Sequence, residues 1–190
     1  MAWVDYTFEK QKSIMYGDDV DDVDRQRWAY MDGHCPELVD YIVEYETGQK
    51  LLRMCSGLFY KPNTNIWAST LAKASKKIVT YEIAEYCEFA SNGLTGIALH
   101  LNTDVDTLTF LFRLNIRTIN WGLANNPNTP KAILVELAKV NDFDIDKALL
   151  HNPNTPEEIK PMIWERYPNG FFSAGYYYDL KKIKVVASGN

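Results

Sequence analysis

A five-residue motif that occurs twice limits what this chain can fold into. Asn-Pro-Asn-Thr-Pro stands at residues 126–130 and again at 152–156. Weaker relatives lie at 61–65 and 101–105, where Asp104 takes the Thr position. With Thr64, Asp104, Thr129 and Thr155 as anchors, the intervals are 40, 25 and 26 residues. Periods of this length are typical of stacked structural units.

Apolar residues stand at the same distances around each anchor. They lie ten, six and five residues before it and four and eight residues after it. The twenty positions are 54, 58, 59, 68, 72, 94, 98, 99, 108, 112, 119, 123, 124, 133, 137, 145, 149, 150, 159 and 163, and all are apolar. Each set shares one helical face, so the pattern predicts amphipathic helices that meet at the motif.

The chemistry of the motif predicts how it joins two helices. Asn125 or Asn126 can close the preceding helix, because Asn tolerates the left-handed conformation that often ends a helix, and Pro127 forces its predecessor out of helical geometry. Thr129 would then offer its hydroxyl to the free amides of the next helix. Thr155 and Asp104 are placed to cap their helices in the same way.

The sequence predicts an all-α fold: a short helical-repeat protein (α-solenoid, HEAT-like) with an irregular or extended C-terminal tail. We expect an acidic helical cap at 1–48, helical repeats at 49–166 and an aromatic tail or cap at 167–190. The predicted helices lie near 19–31, 36–46, 49–59, 65–74, 77–90, 94–100, 104–114, 116–124, 130–139, 143–150 and 156–166.

The motif, the apolar pair before it and the period near 25 resemble the variant leucine-rich repeat, a relative in style of HEAT-type solenoids. The resemblance is closest over 119–163, weaker over 94–118 and weakest over 51–74. It implies helices stacked into a superhelix and no particular chemistry. Some members of that family hold a cysteine-ligated iron–sulfur cluster. Cys35, Cys55 and Cys87 do not match such a cluster, so no cofactor is expected and the thiols are expected to be buried and reduced.

The net charge of −5 belongs to the start of the chain. Residues 1–60 carry twelve acids and six bases, and the remainder is close to neutral. Binding to a phosphate backbone normally needs a strong basic excess, which no segment has. The first residues carry acid where a signal peptide carries base, and no apolar run approaches membrane-spanning length. We expect a cytoplasmic (intracellular) protein without a membrane partner.

Two segments are candidate partner-binding sites. The first is the acidic run of Asp18, Asp19, Asp21, Asp22 and Asp24. It is either the solvated start of a helix whose apolar face holds Val20, Val23, Trp28 and Met31, or a patch for a basic surface. The second is Tyr176, Tyr177 and Tyr178, which either pack on the last repeat or present exposed aromatics to a partner.

Three polar groups invite interpretation as sites of chemistry. Asp142, Asp144 and Asp146 begin like a calcium loop, but Lys147 stands where the loop needs Gly, so we expect a solvent-facing helix start. His100 and His151 each follow an apolar pair, which predicts equivalent structural roles. Glu82, Glu85 and Glu88 fit a polar stripe on one helix. No catalytic or metal site is expected.

The leading hypothesis is therefore a non-enzymatic module that binds another protein as adaptor or inhibitor. In style, though not by any residue, it suggests a phage-encoded modulator of a host protein complex. The second hypothesis is a nucleic-acid-binding or base-repair protein of helical-repeat type, with Lys73, Lys76, Lys77, Arg113 and Arg117 lining a groove. An enzyme with an unfamiliar carboxylate site is the third.

Overall fold

The part of the chain that the structure describes is all-α apart from one pair of two-residue strands near the C-terminus. The computed structural model describes residues 6–31, 33–59, 64–82, 88–168, 172–173 and 176–177. The described helices are α1 (Phe8–Met15), α2 (Asp22–Ala29), α3 (Pro36–Tyr45), α4 (Gly48–Leu58), α5 (Ala68–Glu82), α6 (Glu88–Leu99), α7 (Val105–Arg113), α8 (Arg117–Asn125), α9 (Lys131–Ala138), α10 (Phe143–His151) and α11 (Lys160–Arg166). One turn of 3-10 helix, Glu157–Ile159, precedes α11. Strands β1 (Phe172–Ser173) and β2 (Tyr176–Tyr177) pair antiparallel.

The helices predicted around the motif are present, whereas the middle of the chain differs. The sequence predicted a break between 74 and 77, but α5 runs unbroken as Ala68–Glu82 because no Pro or Gly interrupts Ala-Ser-Lys-Lys. Glu82 belongs to α5 and Glu88 to α6, so these two do not share one helix as predicted, and Glu85 lies outside the described residues. Helix α1 was not predicted; Thr7 caps it by accepting a hydrogen bond from the backbone amide of Lys10 at 3.4 Å.

The helices pack with alternate members in contact. Among the even-numbered helices, α2 packs on α4, α4 on α6, α6 on α8 and α8 on α10. Among the odd-numbered ones, α1 packs on α3, α3 on α5 and α5 on α7. One hydrophobic core cluster runs through this arrangement, from Met15 to Ile163. Each large side chain buried there contributes about 1.5–3 kcal/mol through removal of apolar surface from water.

Two glycines allow the even-numbered helices to approach closely. A Cβ atom at Gly96 of α6 would lie 2.3 Å from the carbonyl oxygen of Phe59. A Cβ atom at Gly122 of α8 would lie 3.0 Å from the Cβ of Ala98. The first distance leaves no room for a side chain, because the obstructing atom belongs to the backbone.

The first Asn of each motif ties one helix junction to the junction before it. Asn126 and Asn152 are both buried. The Asn126 side-chain amide donates to the carbonyl oxygens of Ala98 (2.7 Å) and His100 (3.0 Å). The Asn152 amide donates to those of Ala124 and Asn126, both at 2.9 Å. Each Asn also accepts a hydrogen bond from the backbone N–H two residues later, at 2.8 and 2.9 Å respectively.

The second Asn repeats this linkage nearer the surface. The side-chain amides of Asn128 and Asn154 donate to the carbonyl oxygens of Leu101 and Pro127. Asn102 donates in the same way to Ile66 at 2.9 Å. The motif residues therefore make two sets of bonds between successive junctions, in addition to ending one helix and starting the next.

His100 occupies the place that Asn holds in the two later junctions. It lies 26 residues before Asn126, and its Nδ1 accepts a hydrogen bond from the backbone N–H of Asn102 at 3.1 Å. Its Nε2 lies 3.0 Å from the hydroxyl of Thr64. The predicted equivalence of His100 with His151 is wrong, because His151 is exposed and stands one position before Asn152.

The same alignment corrects the role of the threonines. The Thr129 hydroxyl donates to the carbonyl oxygen of Leu123 at 2.7 Å, and the Thr103 hydroxyl donates to that of Ile97 at 2.6 Å. Thr103, not Asp104, is thus the counterpart of Thr129. Helix α9 starts after Pro130 without a side-chain cap, so Thr129 is left to bond backwards to the preceding helix. Asp104 does cap α7, accepting from the amide of Thr107 at 2.7 Å.

Thr155 gives a contrast that can be tested. Its buried hydroxyl makes no hydrogen bond within the described part of the chain. Thr129→Val should lower the free energy of unfolding by about 1 kcal/mol because it removes the buried hydrogen bond that the hydroxyl donates to the Leu123 carbonyl oxygen. Thr155→Val should leave stability unchanged or slightly raised. Urea unfolding measures both, and equal losses would contradict the different roles assigned to the two hydroxyls.

The close approach at Gly96 gives a second prediction. Gly96→Ala should destabilise the protein by about 1–3 kcal/mol, because the added methyl group must displace the Phe59 backbone. Asn92→Ala is the matched control: Asn92 is exposed on the same helix, and the substitution should stabilise by a few tenths of a kcal/mol through helix propensity. Thermal unfolding of the two variants separates overpacking from propensity, and a stabilised Gly96→Ala protein would disprove the backbone contact.

Candidate functional site

Helix α2 carries exposed apolar side chains on one face. Val23 is 57% exposed, Tyr30 is 51% exposed, and Met31, just after the helix, is 44% exposed. Val23, Arg27 and Tyr30 are separated by four and three residues, the spacing that aligns side chains along one side of a helix. The face that they form points to solvent.

Contacts with α1 and α4 hold α2 in place, and Tyr30 takes part in them although about half of it is exposed. Ala29 is buried against α4, where a Cβ atom at Gly57 would lie 3.0 Å from the Ala29 carbonyl oxygen. The Tyr30 hydroxyl donates to Ser56 of α4 at 3.2 Å. Arg25 donates from Nε to the carbonyl oxygen of Met15 at 3.0 Å. Because these contacts fix the helix, its exposed face is presented without further ordering.

The predicted acidic run surrounds the start of α2. Asp18, Asp19 and Asp21 are exposed. Asp21 caps the helix, since its carboxylate accepts from the amide of Asp24 at 2.8 Å. Asp24 forms an ion pair with Arg27 at 3.4 Å, while Asp22 occupies the first helical position. Capping therefore accounts for Asp21, and Asp18 and Asp19 remain as solvent-facing charges beside it.

A small cleft lies at the other end of α2. Its lining is mostly apolar and comes from the ends of α2 and α4, the start of α3 and the segment before α5: Tyr30, Met31, His34, Val39, Gly57, Leu58, Thr64 and Ile66. We use the term α2 surface for Asp18, Asp19, Asp21, Val23, Tyr30 and Met31. At 1.5 Å per helical residue, Asp21 and Met31 are about 15 Å apart.

The structure corrects the predicted face of this helix. Val23 and Met31 were expected on the buried side with Val20 and Trp28, but Val23 and Met31 are exposed. Trp28 does pack against the core. Two features of the sequence could have shown the error. An acid flanks Val23 on each side, and apolar and polar residues are poorly separated around the helix.

The tail tyrosines can be placed only in part. Tyr176 and Tyr177 form β2, where Tyr176 lies opposite Ser173 and Tyr177 opposite Phe172. Tyr178 lies outside the described residues. Extended structure is thus present at two of the three tyrosines.

Two of the basic residues proposed for a nucleic-acid groove are held by α3. Lys73 Nζ lies 2.9 Å from the Glu44 carboxylate and 3.3 Å from that of Asp40. The hydrogen bond to Glu44 raises the pKa of Lys73. Lys77 donates to the carbonyl oxygens of Val43 and Glu44, both at 2.7 Å, at the C-terminal end of α3. Both ammonium groups therefore act within the fold.

A third basic residue, Arg117, belongs to the segment that resembled a calcium loop. It donates to Asp142 at 2.8 Å and to Asp144 at 2.7 Å, and the bond to Asp144 raises the pKa of the guanidinium. Asp142 caps α10 through the amides of Asp144 and Ile145. Asp142 therefore caps a helix, and both carboxylates pair with Arg117. The described residues contain no group of three potential metal ligands.

Asp146 does not face solvent as predicted. It is fully buried on α10 and accepts two hydrogen bonds from Arg166 of α11, at 2.9 and 3.0 Å. The Tyr167 hydroxyl donates to it at 3.0 Å. Burial, together with this bond to a carboxylate, raises the pKa of Tyr167 to about 12. The arrangement fastens α11 to α10.

The described thiols are poorly suited to nucleophilic chemistry. Cys55 is fully buried, and burial raises its pKa well above the ordinary value. Burial also raises the pKa of Cys35. Both thiols are therefore protonated at neutral pH, whereas the thiolate is the reactive form. Cys87 lies outside the described residues.

Comparisons with known proteins assign the chain to no family. No protein-family model, curated protein or solved structure matches the chain. In the part of the chain that the structure describes, every helix is too short or too polar to cross a membrane.

The buried ring of His100 predicts a pH effect on stability. Burial lowers its pKa from 6.5 to about 4, and Nδ1 accepts a backbone hydrogen bond that protonation would abolish. Between these values the unfolded chain binds a proton that the folded chain does not. The stabilisation is complete above pH 6.5 and is lost as the pH falls towards 4.

His100→Asn tests this effect, because Asn stands at the two equivalent positions. From pH 7 to pH 4 the wild-type protein should lose about 3 kcal/mol more unfolding free energy than the variant. Urea unfolding at a series of pH values provides the comparison. Parallel pH profiles would show that His100 is already protonated in the fold or is not linked to its stability.

Proposed function

We propose that the protein is a non-enzymatic helical-repeat module that binds another protein through the α2 surface, as an adaptor or inhibitor. The observation that carries the proposal is the exposure of Val23, Met31 and half of Tyr30 on a helix that contacts with α1 and α4 hold in place. Large apolar and tyrosine side chains that are ordered before association are well suited to be binding hot spots, since little conformational entropy remains to be lost.

The helical-repeat part of the proposal is supported by the recurrence of the junction bonds. His100, Asn126 and Asn152 follow at intervals of 26 residues, and each accepts from the N–H two residues later. The packing of alternate helices is also what stacked helix pairs would produce. The free thiols Cys35 and Cys55 suit the reducing cytoplasm that we propose as the location.

The charges beside the apolar face favour a basic partner. Five acids and two bases occupy residues 18–27. Exposed carboxylates of this kind accelerate association with a positively charged surface and discriminate against acidic ones. We place nucleic-acid binding second, because Lys73, Lys77 and Arg117 are engaged by acids or carbonyl groups within the fold.

Capture of partners from the source cell tests the proposal. Val23→Lys and Met31→Lys should each reduce recovery of a stoichiometric partner at least about tenfold, since a charge replaces an apolar contact and repels a basic surface. Both residues are exposed, so unfolding midpoints should not change.

Val140→Lys serves as the matched control. Val140 is 48% exposed and follows α9, away from α2 in sequence. This variant should capture the partner as the wild type does. Equal loss in all three variants, or a partner whose recovery none of them affects, would contradict binding through the α2 surface.

A further inference from the structure

We propose that the element recognised by the α2 surface is a basic amphipathic α-helix, which lies along α2 and adds one more helix to the even-numbered set. This inference rests on the proposed function and specifies the chemistry of the partner. It follows from three features of α2: its place in the packing, the spacing of its exposed side chains and the distribution of charge along it.

Position favours a helix as the occupant. Helix α2 is the first of the even-numbered helices, and α4, α6 and α8 each pack between two even-numbered neighbours. Its exposed residues at 23, 27 and 30 form a ridge along the helix. Such a ridge fits the groove between side chains of a second helix, and helix recognition uses anchors at this spacing.

Charge gives the partner helix a polarity. Asp18, Asp19 and Asp21 are exposed at one end of α2, and the apolar cleft beside Tyr30 and Met31 lies about 15 Å away. A matching helix carries Lys or Arg at one end. About ten residues further along it carries a large apolar side chain that packs against the exposed parts of Tyr30 and Met31.

A second copy of the same chain is a poorer occupant. Pairing of two α2 surfaces about a twofold axis along the helices would bring their acidic runs together, and like charges across an interface cost free energy. Antiparallel pairing would place each acidic run opposite the end with Tyr30 and Met31, so neither pairing sets the acids against a basic run. Self-association through α2 is therefore an outcome that the experiment must detect.

Two synthetic helical peptides provide the test. Each has about 16 residues, a Leu stripe at helical spacing and one Phe near an end. The basic peptide carries Lys over its first two turns, and the acidic peptide carries Glu at the same positions. Binding of the fluorescent peptides to the full-length protein is followed by anisotropy, and sedimentation velocity reports self-association.

The basic peptide should bind with a Kd of about 10 µM, and the acidic peptide at least tenfold more weakly. Val23→Lys should weaken the basic peptide at least tenfold. The double variant Asp19→Asn with Asp21→Asn should weaken it about threefold and reduce its salt dependence, while Asn preserves the helix cap. Val140→Lys should bind like the wild type.

Several results would overturn the inference. These are absence of binding up to about 1 mM peptide, equal affinity for both peptides, indifference to Val23→Lys, or a dimer that Val23→Lys dissociates. If the peptides fail while Val23→Lys still releases a cellular partner, the helix is wrong and the proposed function stands. If the basic peptide binds through α2 but the cell contains no partner that depends on Val23, the recognition chemistry stands and the proposed function fails.

Discussion

The buried Asn side chain at each of the two Asn-Pro-Asn-Thr-Pro junctions is the interaction on which the packing of the later helices depends. Asn126 and Asn152 each donate two hydrogen bonds to carbonyl oxygens of the preceding junction and accept one from their own. A smaller side chain would remove three hydrogen bonds at each of these junctions, and a buried backbone group left without a partner costs about 1–3 kcal/mol. These bonds fix the distance from one junction to the next, and the glycine contacts of α6 and α8 fit that same spacing.

The sequence was informative where local chemistry decides the structure. Proline and the apolar flanks placed the junctions and the helices beside them, and Asp104 was identified correctly as a cap. The side-chain roles of Asn126 and Thr129 were not predictable, because their partners lie in other elements or in the preceding helix. His100 escaped notice as the counterpart of Asn126 because the two share the bond accepted from the N–H two residues later but not the residue type.

The candidate site shows a different limit of sequence patterns. The acidic run was found because charge density can be read directly from residues. Val23 and Met31 were placed on the wrong side of α2, because the amphipathic rule assumes that apolar residues are covered by their own chain. A sequence does not distinguish an exposed apolar residue from a buried one at the same helical spacing, whereas the structure does so through the exposure of its side chain.

The buried Asp146 makes α11 costly to detach. Its carboxylate accepts hydrogen bonds from Arg166 and Tyr167 and has no access to water, so these bonds fasten α11 to α10. Detaching α11 would break the ion pair and the tyrosine bond together, which disfavours local opening there. Val23, Tyr30 and Met31, in contrast, stand on or beside a helix that is held in place while these side chains are open to solvent. The same fold thus uses a buried charge to hold one helix and leaves apolar side chains of another in contact with water.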